Sequence, residues 1–142
     1  MTDAPSLHRF LDAQETAFPV ALAELQQGHK HSHWMWYLFP QLRGLGHSAT
    51  AHYYGLRDAT EARAYAQHPQ LGSRLVLLCA TLLALPGANA TRIFGRPDDL
   101  KLRSCMTLFD AVCPDQPIFQ AVLDKFFQGQ PDALTLRLLY PA

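Results

Sequence analysis

Apolar residues recur at three- and four-residue steps along most of the chain, and the strict alternation of a half-buried strand is nearly absent. Gly and Pro cut this pattern into short blocks. Ser6 is placed to cap a first short helix. A second block follows from about Thr16 to Gln27, with Phe18, Leu22 and Leu25 on one face and Gly28 as its stop. Residues 31–39 hold Trp34, Trp36, Tyr37, Leu38 and Phe39 before Pro40, a mixture that suits either a short helix or a packed loop. Gly44 and Gly46 suggest a tight turn, and Ser48 is placed as the N-cap of a segment carrying Tyr53 and Tyr54. Asp58 followed by Glu61 reads as a capping box for a helix that His68-Pro69 ends.

Between Leu71 and Leu85 almost every residue is apolar, so a helix there is expected to be covered on all sides and to centre the core. After a short block at Ile93-Phe94-Gly95, Pro97-Asp98-Asp99 opens a helix with Leu102, Met106, Phe109 and Val112 on one face. Asp115 and Pro117 start the next, and Asp132 caps the last. The pattern predicts an all-α, single compact domain over residues 1–142, with six to eight short helices around the apolar one at about 71–85.

Composition narrows the function classes. Hydrophobic residues make up 49% and charged residues 17%, which favours a filled core over a disordered chain. Twelve basic and twelve acidic residues cancel without any block of like charge, so nucleic acid is not an expected partner. No stretch approaches the roughly 20 apolar residues of a membrane span, so no membrane partner is expected. Cys79, Cys105 and Cys113 lack the spacing of a disulfide framework or metal knuckle, which fits reduced thiols in a cytoplasmic protein.

Five segments point to a family: Lys30-His-Ser-His-Trp-Met-Trp-Tyr, Phe39-Pro-Gln, Gly44-Leu-Gly, His68-Pro-Gln-Leu-Gly-Ser-Arg-Leu and Lys101-Leu-Arg-Ser-Cys-Met-Thr-Leu-Phe. Together they resemble the domain-of-unknown-function family 1810 over nearly the whole chain. The resemblance implies an all-helical, cytosolic, mostly bacterial fold with no established activity. Two departures stand out: Cys105 occupies a position where the family usually has Ser, and Tyr54 is bulkier than the residue expected there.

Candidate chemistry concentrates in the aromatic segment. His29, His31 and His33 would share a face in an extended chain, but no H-E-x-x-H or carboxylate cluster accompanies them, so they are read as surface and capping residues and no metal is expected. Trp34 and Trp36 with Lys30, Ser32 and His33 supply an apolar wall and several donors, suited to a planar or anionic ligand; the alternative is that both indoles belong to the core. Arg74 and Lys101, the latter on one helical face with Ser104, need a partner: an internal carboxylate such as Asp12, Glu61 or Asp98, or a bound anion. There is no G-x-S-x-G elbow, no S-x-x-K and no phosphate loop, so no cofactor is expected.

The leading expectation is therefore a polar cleft formed by Lys30, Ser32, Trp34, Trp36, Gln41, Arg74, Lys101 and Ser104, binding a small anionic or aromatic ligand. Any chemistry there would use His33 as acid or base, because its reference pKa lies near neutrality. The competing expectation is a protein-interaction module with an exposed aromatic patch and no catalysis.

Overall fold

The computed structural model describes residues 3–141 and contains nine helices among them: α1 (Asp3–Gln26), α2 (Met35–Leu38), α3 (Ala49–Tyr54), α4 (Ala59–Gln67), α5 (Pro69–Ala84), α6 (Ala90–Phe94), α7 (Asp98–Val112), α8 (Ile118–Phe127) and α9 (Ala133–Leu139). Extended pairing among these residues is confined to an isolated parallel bridge between Leu42 and Leu56. The buried apolar residues form one continuous core.

α1 corrects the sequence reading. It is a single 24-residue helix that runs through Pro19, rather than a short helix capped by Ser6 followed by another. Ser6 lies inside its first turns, and the Ser6 side chain is outside the described residues. Pro19 removes the hydrogen bond to the Glu15 carbonyl, but both residues are exposed, so that carbonyl is left to solvent and the helix continues. Leu7, Phe10, Gln14, Ala21 and Leu25 form a buried stripe on the opposite face. Gly28, at φ 78°, then turns the chain out of the helix.

Other boundaries follow the side-chain chemistry closely. The Ser48 side chain accepts from Ala51 N, and Asp58 from Glu61 N, and Asp132 from Thr135 N. The Glu61 carboxylate does not close the reciprocal half of a capping box on Asp58. It accepts instead from Arg57 N at 2.9 Å and from the Arg9 guanidinium, which ties α1 to α4. His68 ends α4 and caps α5, its Nδ1 accepting from Gln70 N and Leu71 N. Lys125 of α8 closes the other end of α5 by donating to the carbonyls of Leu82, Leu83 and Leu85.

α5 packs against α1, α4 and α8 and is central, as its composition predicts. It is not covered on every side, however: Ser73, Leu77, Ala80 and Ala84 form an exposed strip one helix turn apart. The more enclosed helix is α7, which packs against α4, α6, α8 and α9 and buries nine residues, including Asp99, Ser104 and Thr107. Its polar residues disguise this in the sequence, because Ser104 and Thr107 return their hydroxyls to the carbonyls of Leu100 and Arg103. Cys105 lies in the same core, fully buried, so the residue at that position belongs to packing.

The α4–α5 crossing leaves no room for a side chain at Gly72, where a Cβ would lie 2.0 Å from the Ala66 carbonyl oxygen. Gly72→Ala is expected to force the two helices apart and cost about 2–3 kcal/mol, a fall in Tm of roughly 10 °C. A thermal melt of the variant checks this; an unchanged Tm contradicts the close packing.

Candidate functional site

The segment 29–34 is organised by a residue that the sequence reading did not select. Glu24, in the last turn of α1, is 9% exposed and accepts four hydrogen bonds from this segment. His31 N and Ser32 N donate to Oε1 at 2.9 and 3.0 Å, Trp34 Nε1 donates to Oε1 at 2.9 Å, and Ser32 Oγ donates to Oε2 at 2.6 Å. Burial alone would raise the Glu24 pKa. The bonds from Ser32, from the His31 and Ser32 backbone and from Trp34 outweigh it and hold the carboxyl at about 2. Ser32 and Trp34 are thereby spent within the protein, and Trp34 is only 1% exposed.

Lys30 extends this arrangement outward. Its backbone N donates to Ile93 O at 2.8 Å, and its ammonium lies 5.0 Å above the Trp34 ring and 2.8 Å from Asp98 Oδ2. The other oxygen of Asp98 is 3.3 Å from the Lys101 ammonium, which in turn sits 4.9 Å above the Trp36 ring. Two indoles, two lysines and one carboxylate thus form a continuous ladder from the core to the surface. Asp98 is the internal carboxylate that the sequence reading named among its alternatives for Lys101.

At the outer end of this ladder lies a cleft of about 530 Å³ between the 41–48 loop, the start of α7 and the start of α9. Trp36, Gln41, Lys101 and Ser104 line it, together with His47 and Asp132. The loop is held by Arg43 N donating to Leu56 O at 2.7 Å and Leu56 N donating to Gln41 O at 2.9 Å. It fits against α3 because Gly46 has no Cβ, which would lie 2.6 Å from that of Ala51. α9 is fixed by Asp132 N donating to Thr107 Oγ1 at 2.8 Å and by Arg103 Nε donating to Gln130 O at 2.9 Å.

Of the residues selected from sequence, these four meet at the cleft, while Lys30, Ser32 and Trp34 stand behind it in the ladder and the Glu24 network. Arg74 is elsewhere, on the α1–α5 contact, where it donates to Gln14 Oε1 at 3.3 Å and covers the Phe18 ring at 5.3 Å. His33 is exposed and does not line the cleft; the imidazole that does is His47. Burial of Trp34 and the concave setting of Trp36 leave these two indoles forming no flat exposed patch. His29 and His31 meet edge to face with ring centroids 4.5 Å apart, and no third ligand joins them to hold a metal among the described residues.

The cleft offers binding groups rather than an activated nucleophile. Ser104 Oγ donates to the Leu100 carbonyl of its own helix, and Asp132 Oδ2 is committed to Thr135 N and Oγ1. A second cavity of about 360 Å³, beside Gly72, Val76 and Phe119, contains Cys113, whose thiol pKa is pushed up by burial despite the nearby Arg63.

The profile of the family described as "Protein of unknown function (DUF1810)" matches residues 4–139. The chain belongs to that family. Among solved structures it is similar to a conserved hypothetical protein from Mycobacterium tuberculosis, at 44% identity over 94% of this chain and 95% of that one, with a TM-score of 0.92. No curated protein matches the chain. The DUF1810 fold is thus an all-helical domain, and no helix among the described residues is long and apolar enough to cross a membrane.

The Glu24 network makes two stability predictions. Glu24→Gln is expected to cost about 2–3 kcal/mol at neutral pH, because a neutral amide cannot accept all four donors with the strength of a carboxylate. The folded pKa is below the unfolded value of 4.5, so the stabilisation is present above pH 4.5 and is lost as pH falls towards 2. Urea unfolding should therefore show the wild-type and Glu24→Gln curves converging between those pH values. A gap that stays constant down to pH 3 contradicts the assignment.

Proposed function

We propose that this DUF1810 protein binds a small organic anion in the cleft beside Trp36, and that Lys101 receives the anionic group. The observation carrying this reading is that Asp98 is shared by two ammonium groups, closer to Lys30 at 2.8 Å than to Lys101 at 3.3 Å. Lys30 is enclosed, with 7% of its side chain exposed, whereas Lys101 retains 24%. Lys101 can turn a donor to a ligand while Lys30 keeps Asp98 neutralised.

Further support comes from unspent hydrogen-bonding capacity. Trp36 and Gln41 both line the cleft, and neither Trp36 Nε1 nor the Gln41 side-chain amide has a hydrogen-bond partner among the described residues. The volume of about 530 Å³ falls within the range typical of small-molecule sites. In this reading Trp36, Gln41, Lys101 and Ser104 form the ligand wall, His47 adds an imidazole, and Lys30 and Trp34 hold the wall in place. Arg74, Ser32 and His33 have no ligand contact. No reaction is assigned to the cleft.

The test is a thermal-shift screen against organic anions, comparing wild-type with Lys101→Met. At least one anion is expected to raise Tm saturably, because it binds the folded state. Lys101→Met should weaken that ligand about tenfold to a hundredfold, the worth of one charge-assisted hydrogen bond. The variant itself should lose no more than about 1 kcal/mol, since the pair it removes is partly exposed. A ligand held equally well by Lys101→Met, or no response to any anion, contradicts the proposal.

A further inference from the structure

The cleft that contains Lys101 also carries exposed apolar side chains. Leu100 and Leu134, which line the cleft from α7 and α9, are 49% and 44% exposed, and Leu45 extends the same surface from the loop. Exposed leucines are common singly, but two of them lining one concave site together with an indole form a surface that gains by being covered. Neither belongs to the hydrophobic core or to the side chains packed against it. The docking of α9 is carried by Thr107, Asp132 and the fully buried Thr135, leaving the side chain of Leu134 outside the core.

The charges set a second constraint. Lys101 is the sole lysine or arginine among the lining residues, part of its charge is already taken by Asp98, and Asp132 contributes a carboxylate to the same cleft. A dianionic phosphate ester would meet one shared cation and one like charge, whereas sites for such groups gather several donors or an arginine fork. A bare inorganic ion would also leave Leu100 and Leu134 in water and most of the cleft unfilled.

We infer that the ligand class is an amphipathic monocarboxylate, an aryl or short acyl chain acid, with its carboxylate on Lys101 and its apolar body between Trp36, Leu100 and Leu134. This rests on the proposed anion site and adds the ligand's body to it. The carboxylate replaces water at Lys101 and takes its second oxygen to the Gln41 amide or the Trp36 N–H. The apolar body removes the two leucines from water, so affinity grows with apolar area until the cleft is filled.

Isothermal titration calorimetry with 1-naphthylacetate, octanoate, acetate, inorganic phosphate and the neutral 1-naphthylacetamide tests this. The two amphipathic acids are expected to bind at least tenfold more tightly than acetate or phosphate, and naphthylacetate at least tenfold more tightly than its amide. Leu134→Asn should weaken naphthylacetate severalfold without changing Tm or the affinity for acetate. Acetate or phosphate binding as tightly as the amphipathic acids overturns the inference and leaves the anion site standing. The amide matching the acid overturns both, and so does the absence of binding by any anion. Sedimentation velocity supplies the remaining arm: a concentration-dependent dimer dissolved by Leu134→Asn would assign the leucines to a second copy and overturn the inference.

Discussion

The geometry of this domain depends on one carboxylate that stays ionised while almost enclosed. Glu24 stands at the C-terminal end of α1, where the helix dipole disfavours a negative charge and burial disfavours any charge. Four donors from residues 31–34 compensate, and each is itself a group that would be costly to leave unpaired. The interaction is therefore mutual. The carboxylate needs the segment to remain charged, and the segment, which has no regular backbone pairing of its own before α2, needs the carboxylate to adopt one conformation.

From that fixed segment the rest of the site follows by contact. Trp34 is drawn into the core against Phe39 and Phe94, and Lys30 is laid over it towards Asp98. Asp98, in the first turn of α7, connects this interior assembly to Lys101 one turn further along, and Lys101 covers Trp36. The tryptophan pair thus divides its roles. Trp34 is a core residue with its N–H satisfied, while Trp36 lines the cleft and its N–H has no hydrogen-bond partner among the described residues. A substitution in the interior half is expected to act through folding, and one in the outer half through the proposed ligand.

Local chemistry made much of the fold legible in the sequence. Ser48, Asp58 and Asp132 each cap a helix through a short-range bond, and such bonds leave a local signature. Long-range partners leave none. Glu24 reads as an ordinary acidic residue near a helix end, because its donors lie beyond the Gly28 turn. α7 reads as a helix with a single apolar face, Leu102, Met106, Phe109 and Val112, because the satisfied hydroxyls of Ser104 and Thr107 look polar. α1 reads as two blocks, with the second from about Thr16, because nothing local shows that one helix runs continuously from Asp3 to Gln26. His33 stands out in the sequence for a reference pKa near neutrality within the aromatic segment, but only the backbone path decides that His47 lines the cleft instead.

The division of roles between Trp34 and Trp36 in this domain depends on the charge state of Glu24. NMR observation of its side-chain carboxyl carbon across a pH titration measures that state at the atom concerned. A midpoint at about 2, displaced from the ordinary 4.5, is expected, with the Trp34 indole N–H protected from solvent exchange until the carboxyl protonates. A midpoint at the ordinary value, or a Trp34 indole proton that exchanges freely at neutral pH, would contradict it.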